Sequence, residues 1–551
     1  VAARDERGFQ CAAITILQLV KAHRNRRGEV DGIELPGVMV RDWPALRRRG
    51  LMLDPARLKE RNEYYAAVVD FIGAYKANAL FLHLTDDTGI ALQFPSHPSL
   101  ATPHAFGPDD IASLVARGRR LGLDVVPEIE SLGHAGAITR NPKYRALSEA
   151  GSNCLNPCLP ETARLLDDLY ADCAGVFPAQ LLHCGMDEVG ALGRSEECRR
   201  AYGQDPDRDD ASIQDWAYAR HVIAVHDLLA KRGKRMVMWG DMILRHREVA
   251  RRIPKDILID DWHYGTTVSA ASAEFFIASG FEVIGSPALM CGNYRLMPSA
   301  ANLRNVDEFT RVAQRHGLSG LNVTVWVPQR YLADAAWLSI ARSCAVMWEG
   351  VADAEGGFDE RRFLRAYVRR RFGLTPDDEI IAALRTLQEL VPTHQQFLVL
   401  LPPDADGLRR LLESAELPAA TEGLARPLHD DTAGIVRTLE TRRDEVRRNV
   451  EEFESLVLVA RIERHLGAML DLAVNETPVP LDADGRATLQ RRLDENDSLL
   501  EALNASWDRW RYPDTPGRVG EPQSLRSHWL NRYFEDFGNA ARALLKASGR
   551  P

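Results

Sequence analysis

Between about residue 50 and residue 350 the chain alternates short β-rich apolar runs with longer amphipathic segments, and it does so eight times. The runs are Gly50–Leu53, Ala79–Leu84, Asp124–Ile129, Leu181–Cys184, Arg235–Trp239, Ile257–Trp262, Glu282–Gly285 and Leu321–Val325. Repetition of this kind specifies βα units around a parallel sheet, and eight units in about 300 residues predict a TIM (β/α)8 barrel, an α/β fold. Polar and aromatic residues collect just beyond the runs: Asp54, Asp86 and Asp87, Glu128 and His134, Asp187 and Glu188, Trp239 and Asp241, Trp262 and His263, Trp326. Barrel active sites are built from those C-terminal strand ends. Core packing explains one or two tryptophans there, but not polar groups at nearly every strand.

The flanks read differently. Residues 1–45 carry two weakly marked strands around a turn at Arg26–Glu29, enough for a bracing segment or the remnant of a longer N-terminal module. The barrel is expected over residues 46–354. From 355 to 551 the pattern turns to Arg-, Glu- and Leu-rich helical periodicity, as in the long run Thr432 to Val474, and predicts an all-α C-terminal domain. Its amphipathic helices make a homodimer interface an open expectation. The aromatic cluster Trp507 to Tyr512 is read as local packing of a helix end, with closure over the barrel mouth or against a neighbouring subunit as the alternative.

The net charge of 69 − 78 = −9 offers no basic field for a nucleic-acid backbone. The longest early apolar run, Ala12 to Val20, is too short to span a bilayer and lacks a signal-peptide cleavage pattern. The first residue is Val, so the start reads as a processed or trimmed end; the compartment stays open, with the cytoplasm slightly favoured. Eight cysteines lie scattered without a zinc spacing and are read as mostly buried free thiols, Cys154 and Cys158 being the one near pair.

The segment Gln180–Gly190 concentrates the chemistry. Alternate side chains of a strand share a face, so His183, Gly185 and Asp187 point one way, and Glu188 falls in the following turn. Two adjacent carboxylates repel, which raises the pKa of one and keeps a proton available for a leaving group. An isolated Asp-Glu pair is more often found capping a helix.

Four blocks in order, Arg49–Arg57 (RGLMLDPAR), Leu82–Gly89 (LHLTDDTG), Val126–Ala135 (VPEIESLGHA) and His183–Glu188 (HCGMDE), resemble glycoside hydrolase family 20, the β-N-acetylhexosaminidases, over roughly residues 37 to 350. The resemblance implies an exo-acting enzyme with no metal or organic cofactor, whose substrate's own 2-acetamido oxygen serves as nucleophile. It assigns proton transfer to Glu188 and orientation of the acetamido group to Asp187. Arg49 is expected to grip sugar hydroxyls, and Asp86, Asp87 and His134 to form a polar relay behind the acid, with His183 beside them. Trp239, Trp262 and Trp326 are expected to wall the pocket, and Tyr294 to bond the acetamido oxygen. The chain departs from the family pattern in three places: the usual Tyr-x-Asp after strand seven is absent around Tyr294, Ile90 stands where a tryptophan is usual, and Pro328-Gln329 where an acid follows the last barrel tryptophan. That leaves gluco against galacto preference, and tolerance of a substituent such as sulfate, open.

Three rivals share these residues. His83, Asp86, His134, His183 and Asp187 could serve a metal-dependent barrel hydrolase, although their spacing matches no single-metal cluster. A silent carbohydrate-binding barrel would need no proton donor. The same chemistry could also act on a disaccharide or glycolipid, with the 135–160 stretch deciding whether the pocket is a dead end or a groove.

Overall fold

The computed structural model describes residues 1–24, 30–203, 210–291, 296–351, 357–390, 406, 425–474, 481–512 and 529–548. Eight parallel strands, β1 (Arg48–Leu53), β2 (Ala79–His83), β3 (Asp124–Glu128), β4 (Leu181–His183), β5 (Arg235–Trp239), β6 (Leu258–Trp262), β7 (Glu282–Ser286) and β8 (Gly320–Val325), pair in sequence order. β8 pairs with β1 along its whole length and touches β7 through Leu321 and Gly285, so the sheet closes on itself. Helices such as Asn62–Ala74, Pro108–Arg120, Pro160–Val176 and Ala300–His316 follow the strands and cover the outside. Burial on both faces explains why the strands read as nearly continuous apolar runs rather than as strict alternations.

The barrel interior has two layers of opposite character. Met52, Phe81, Val126, Val237, Leu258 and Ile284 fill the lower one. Two residues further along β2, β3, β4 and β6 stand His83, Glu128, His183 and Asp260, all buried. His83 Nδ1 lies 2.6 Å from Glu128, His183 Nδ1 lies 3.2 Å from the other oxygen of Glu128, and His183 Nε2 lies 3.7 Å from Asp260. Trp239 donates its indole N–H to Glu128 at 2.8 Å. Burial disfavours charge on His83 and Glu128 and their pairing offsets it, whereas burial keeps Asp260 raised. Against burial, His83 and His183 hold Glu128 well below the ordinary carboxylate range, and Glu128 in turn holds His83 protonated.

The N-terminal segment begins with a helix, Glu6–Leu19, absent from the sequence expectation; two strands follow as Lys21–Arg24 and Val30–Glu34, paired antiparallel, and the expected turn at Arg26–Glu29 lies outside the described residues. Asp5 caps the helix by accepting from the Gly8 N–H at 2.7 Å, and Arg7 crosses the barrel floor to Asp124 at 2.5 Å. Beyond the barrel the chain is helical, in Glu360–Tyr367, Asp378–Leu390, Ala425–Arg442, Val450–Val474, Ala483–Asp508 and Trp529–Ser548. Among the described residues no helix is long and apolar enough to cross a membrane.

Candidate active site

The strand-to-loop turn after β4 puts two carboxylates at the barrel mouth. Gly185 (φ +62°), Met186 (+76°) and Glu188 (+45°) all adopt left-handed backbone conformations there. Any Cβ on Gly185 would meet Glu130 Oε2 at 1.8 Å, so this position admits only glycine. Glu130 accepts the Met186 N–H at 3.2 Å, and Asp241 accepts the Glu188 N–H at 3.1 Å, holding the turn from two sides.

His134, at +45° in φ, sits across from this turn. Its Nε2 lies 3.3 Å from Glu188 and 3.6 Å from Asp187; its Nδ1 lies 3.3 Å from Asp87 and 3.6 Å from Asp86. The 135–160 stretch folds back onto this relay: Asn153 donates to both oxygens of Asp87, and the Gly136 N–H donates to it at 2.8 Å. Burial works against the imidazolium, yet the hydrogen bonds with Asp87 and Glu188 and the charge of Asp187 hold His134 protonated far above its usual range.

The two carboxylates differ. Burial raises the Asp187 pKa, with Glu128 adding to it and His134 opposing. Glu188, 53% exposed at its side chain, is lowered, chiefly by its hydrogen bond with His134. The raised group of the pair is therefore Asp187, and the cause is burial more than repulsion between neighbours. Among the described residues Asp187 Oδ1, a buried atom, has no hydrogen-bond partner. Two further acids surround it: Glu130, pushed well up by burial and by Asp187 and Glu128, and Asp241, raised to about 7 by burial and then by Asp187.

Arg49 is not in this site. In β1 the inward positions are Gly50, Met52 and Asp54, so Arg49 faces the helix layer. It donates to the carbonyls of Lys76, Leu46 and Arg47 and lies 5.0 Å over Trp348. The arginine at the mouth is Arg57. It reaches Asp54 and Asp86, each at 2.8 Å, and lies 5.3 Å over the Trp326 ring. Burial opposes its charge, but Asp54 and Asp86 raise its pKa beyond that of an ordinary guanidinium. The C-terminal strand-end rule, applied within the block Arg49–Arg57, already separates these two arginines.

The aromatics occupy different depths. Trp239 lies in the interior on Glu128, its ring 4.5 Å from that of His183. Trp262 is partly exposed and stacks on Tyr264 at 5.0 Å, and Tyr264 accepts the Trp326 indole N–H at 3.0 Å. Tyr264 went unread in the sequence, although Asp260, Trp262 and Tyr264 share a face by strand alternation. Tyr294 lies outside the described residues. Asp86, Asp87, His134, His183, Asp187, Glu188, Trp239, Trp262 and Trp326 all come together around the mouth or directly beneath it.

Among the described residues, two groups have spacing that could hold a metal ion: His83 with Glu128 and Glu130, and His134 with Asp187 and Glu188. In the first, His83 and Glu128 already pair directly; in the second, the ring faces carboxylates from both nitrogens, an arrangement an imidazolium satisfies.

Residues 47–316 match the glycosyl hydrolase family 20 catalytic domain. The chain is 28% identical to a β-hexosaminidase of Vibrio furnissii over 316 residues, 51% of this chain and 48% of that one. It is 30% identical to a β-N-acetylhexosaminidase of Cellulomonas fimi over 220 residues, 36% of this chain and 43% of that one. The alignments thus span about half the length of these curated relatives. In fold it is similar to a family 20 exo-β-N-acetylglucosaminidase of Vibrio harveyi solved with N-acetylglucosamine, with a TM-score of 0.50, 23% identity, and coverage of 65% of this chain and 62% of that one. Residues 47–316, a closed barrel with an Asp-Glu pair after its fourth strand, carry the glycosyl hydrolase family 20 catalytic domain.

Proposed function

We propose that the protein hydrolyses terminal β-linked N-acetylhexosaminides with retention, using the substrate's acetamido oxygen as nucleophile. The observation that carries this reading is the contrast within the pair: the Asp187 side chain is 18% exposed, with Oδ1 buried and unpartnered among the described residues, while Glu188 is half exposed, and both touch His134. A buried acceptor without a donor suits an acetamido N–H, which it would orient for attack on the anomeric carbon. Glu188 then protonates the departing glycosidic oxygen as the acetamido oxygen bonds to carbon and an oxazolinium forms. In the second half, the Glu188 carboxylate takes a proton from water, the water oxygen bonds to the anomeric carbon, and the acetamido group is released.

Glu188 is ionised in the free site, and covering it with an aglycone removes its water and raises its pKa, favouring the protonated form that the first half requires. Asp187 in its ionised form balances the positive charge of the oxazolinium. Trp262 and Trp326 offer apolar faces to the sugar ring, and Arg57, paired below with Asp54 and Asp86, offers guanidinium donors to its hydroxyls. The relatives named β-hexosaminidase support the same substrate class.

The test is release of 4-nitrophenol from the β-N-acetylglucosaminide and the β-N-acetylgalactosaminide, with and without a thiazoline mimic of the cyclised intermediate. Thiazoline-sensitive activity that survives chelators supports the reading. No release from either sugar by folded protein would overturn it.

A further inference from the structure

The helical C-terminal region lies outside the family match, yet one of its arginines is seated against the loop that carries a pocket tryptophan. Arg511 is buried, 1% exposed, with its guanidinium carbon 3.6 Å over the Trp507 ring. Its Nη2 donates to the carbonyls of Pro328 at 2.7 Å and Tyr331 at 3.0 Å, the two ends of the turn that follows Trp326. The same segment holds the loop after β1: the Arg61 N–H donates to the Trp510 carbonyl at 2.7 Å, and Glu60 and Arg511 form an antiparallel bridge. Trp510 donates its indole N–H to Asp334 at 2.8 Å.

These contacts lead into the site by a short path. Val327, left-handed at φ +57°, donates its N–H to Asp54 at 3.0 Å. Gln329 donates to the Arg57 carbonyl at 2.6 Å, and Arg57 lies over Trp326. The turn gripped by Arg511 therefore sets Trp326 against Arg57.

We propose that Arg511 is a positioning residue for the sugar pocket, a clamp by which the C-terminal helical region fixes the loops after β1 and β8 and so holds Trp326 and Arg57 in their binding geometry. This rests on the hexosaminidase reading for its kinetic consequence, but not for the clamp itself. A guanidinium serves here because one planar group can bond two carbonyls while stacking on an indole.

The experiment compares wild type with Arg511→Ala in two readouts: KM and kcat on the 4-nitrophenyl substrates, and deuterium uptake over residues 326–332. Loss of positioning for binding, with Asp187 and Glu188 untouched, raises KM about tenfold and changes kcat little. Uptake at 326–332 rises, and added guanidinium ion brings both readouts back toward wild type. A folded Arg511→Ala protein with wild-type KM overturns the proposal, as does a raised KM with unchanged uptake at 326–332. Should that variant not fold, Arg511→Lys carries the same readouts with the same outcomes, since it keeps the charge and loses the planar fork. If the wild type cleaves neither sugar, the functional reading falls alone and the deuterium readout still judges the clamp.

Discussion

His134 Nε2 stands 3.3 Å from Glu188 Oε2, and this contact is the chief reason the carboxylate proposed to carry the proton is held below its ordinary pKa. The imidazolium lowers Glu188 directly and also opposes the upward push of burial on Asp187. Removing it in His134→Asn raises both carboxylates. The proposed mechanism needs Asp187 ionised and Glu188 protonated, so on that mechanism the acid limb and the alkaline limb of kcat/KM both move to higher pH. A pH profile of the variant checks this; limbs that stay in place, or move down, contradict it.

The pair itself separates by leaving group. Glu188→Gln should slow cleavage by about 10²- to 10⁴-fold for poorly acidic aglycones and far less for activated aryl ones. On the proposed mechanism Asp187→Asn misaligns the acetamido group and should slow all of them alike. A series of aryl substrates with graded leaving-group pKa distinguishes the two slopes.

Arg57 and Arg49 give opposite phenotypes. Arg57→Met leaves Asp54 and Asp86 without their cation, and loss of one partner of a buried pair costs about 3–5 kcal/mol, with substrate binding lost as well. Arg49→Met forfeits donations to three backbone carbonyls and lowers the melting temperature, while KM stays unchanged in the folded fraction. Melts and steady-state kinetics on both variants provide the check.

Asp241, raised to about 7, makes stability depend on pH. The folded state holds a proton there that the unfolded chain has already lost, so between roughly pH 4 and pH 7 stability falls as pH rises. Asp241→Asn keeps an oxygen for the Glu188 N–H and removes that slope. Melting curves across pH 4.5 to 8 should show the variant gaining on wild type toward the upper end.

The alternation of apolar runs made the barrel legible, because a strand buried on both faces declares itself by composition as well as by period. The Asp-Glu pair and His134 were legible from their place at strand ends. Arg49 shows where the reading stopped: it opens the matched block, but at the wrong end of β1 and on the wrong face, and the two-residue period would have excluded it. Tyr264 was missed for want of the same count. The ionisation of the pair was not legible, because it depends on how deeply Asp187 is buried and on which nitrogen of His134 it meets, and both are set by chain segments far away in sequence. The contacts of Arg511 with the turn after Trp326 bridge some 180 residues and leave no local pattern.

The second interior layer, His83, Glu128, His183 and Asp260, has a consequence for how the strands find their alignment. In an all-aliphatic barrel, a strand shifted by one residue exchanges one apolar side chain for another, at a modest loss. Here the same slip would turn Glu128 or His183 outward into the apolar contacts of the helices and strand its partner as a lone charge in the interior. Misaligned pairings are thereby penalised at four of the eight strands, and the ionic layer acts as a proofreading device for assembly of the barrel.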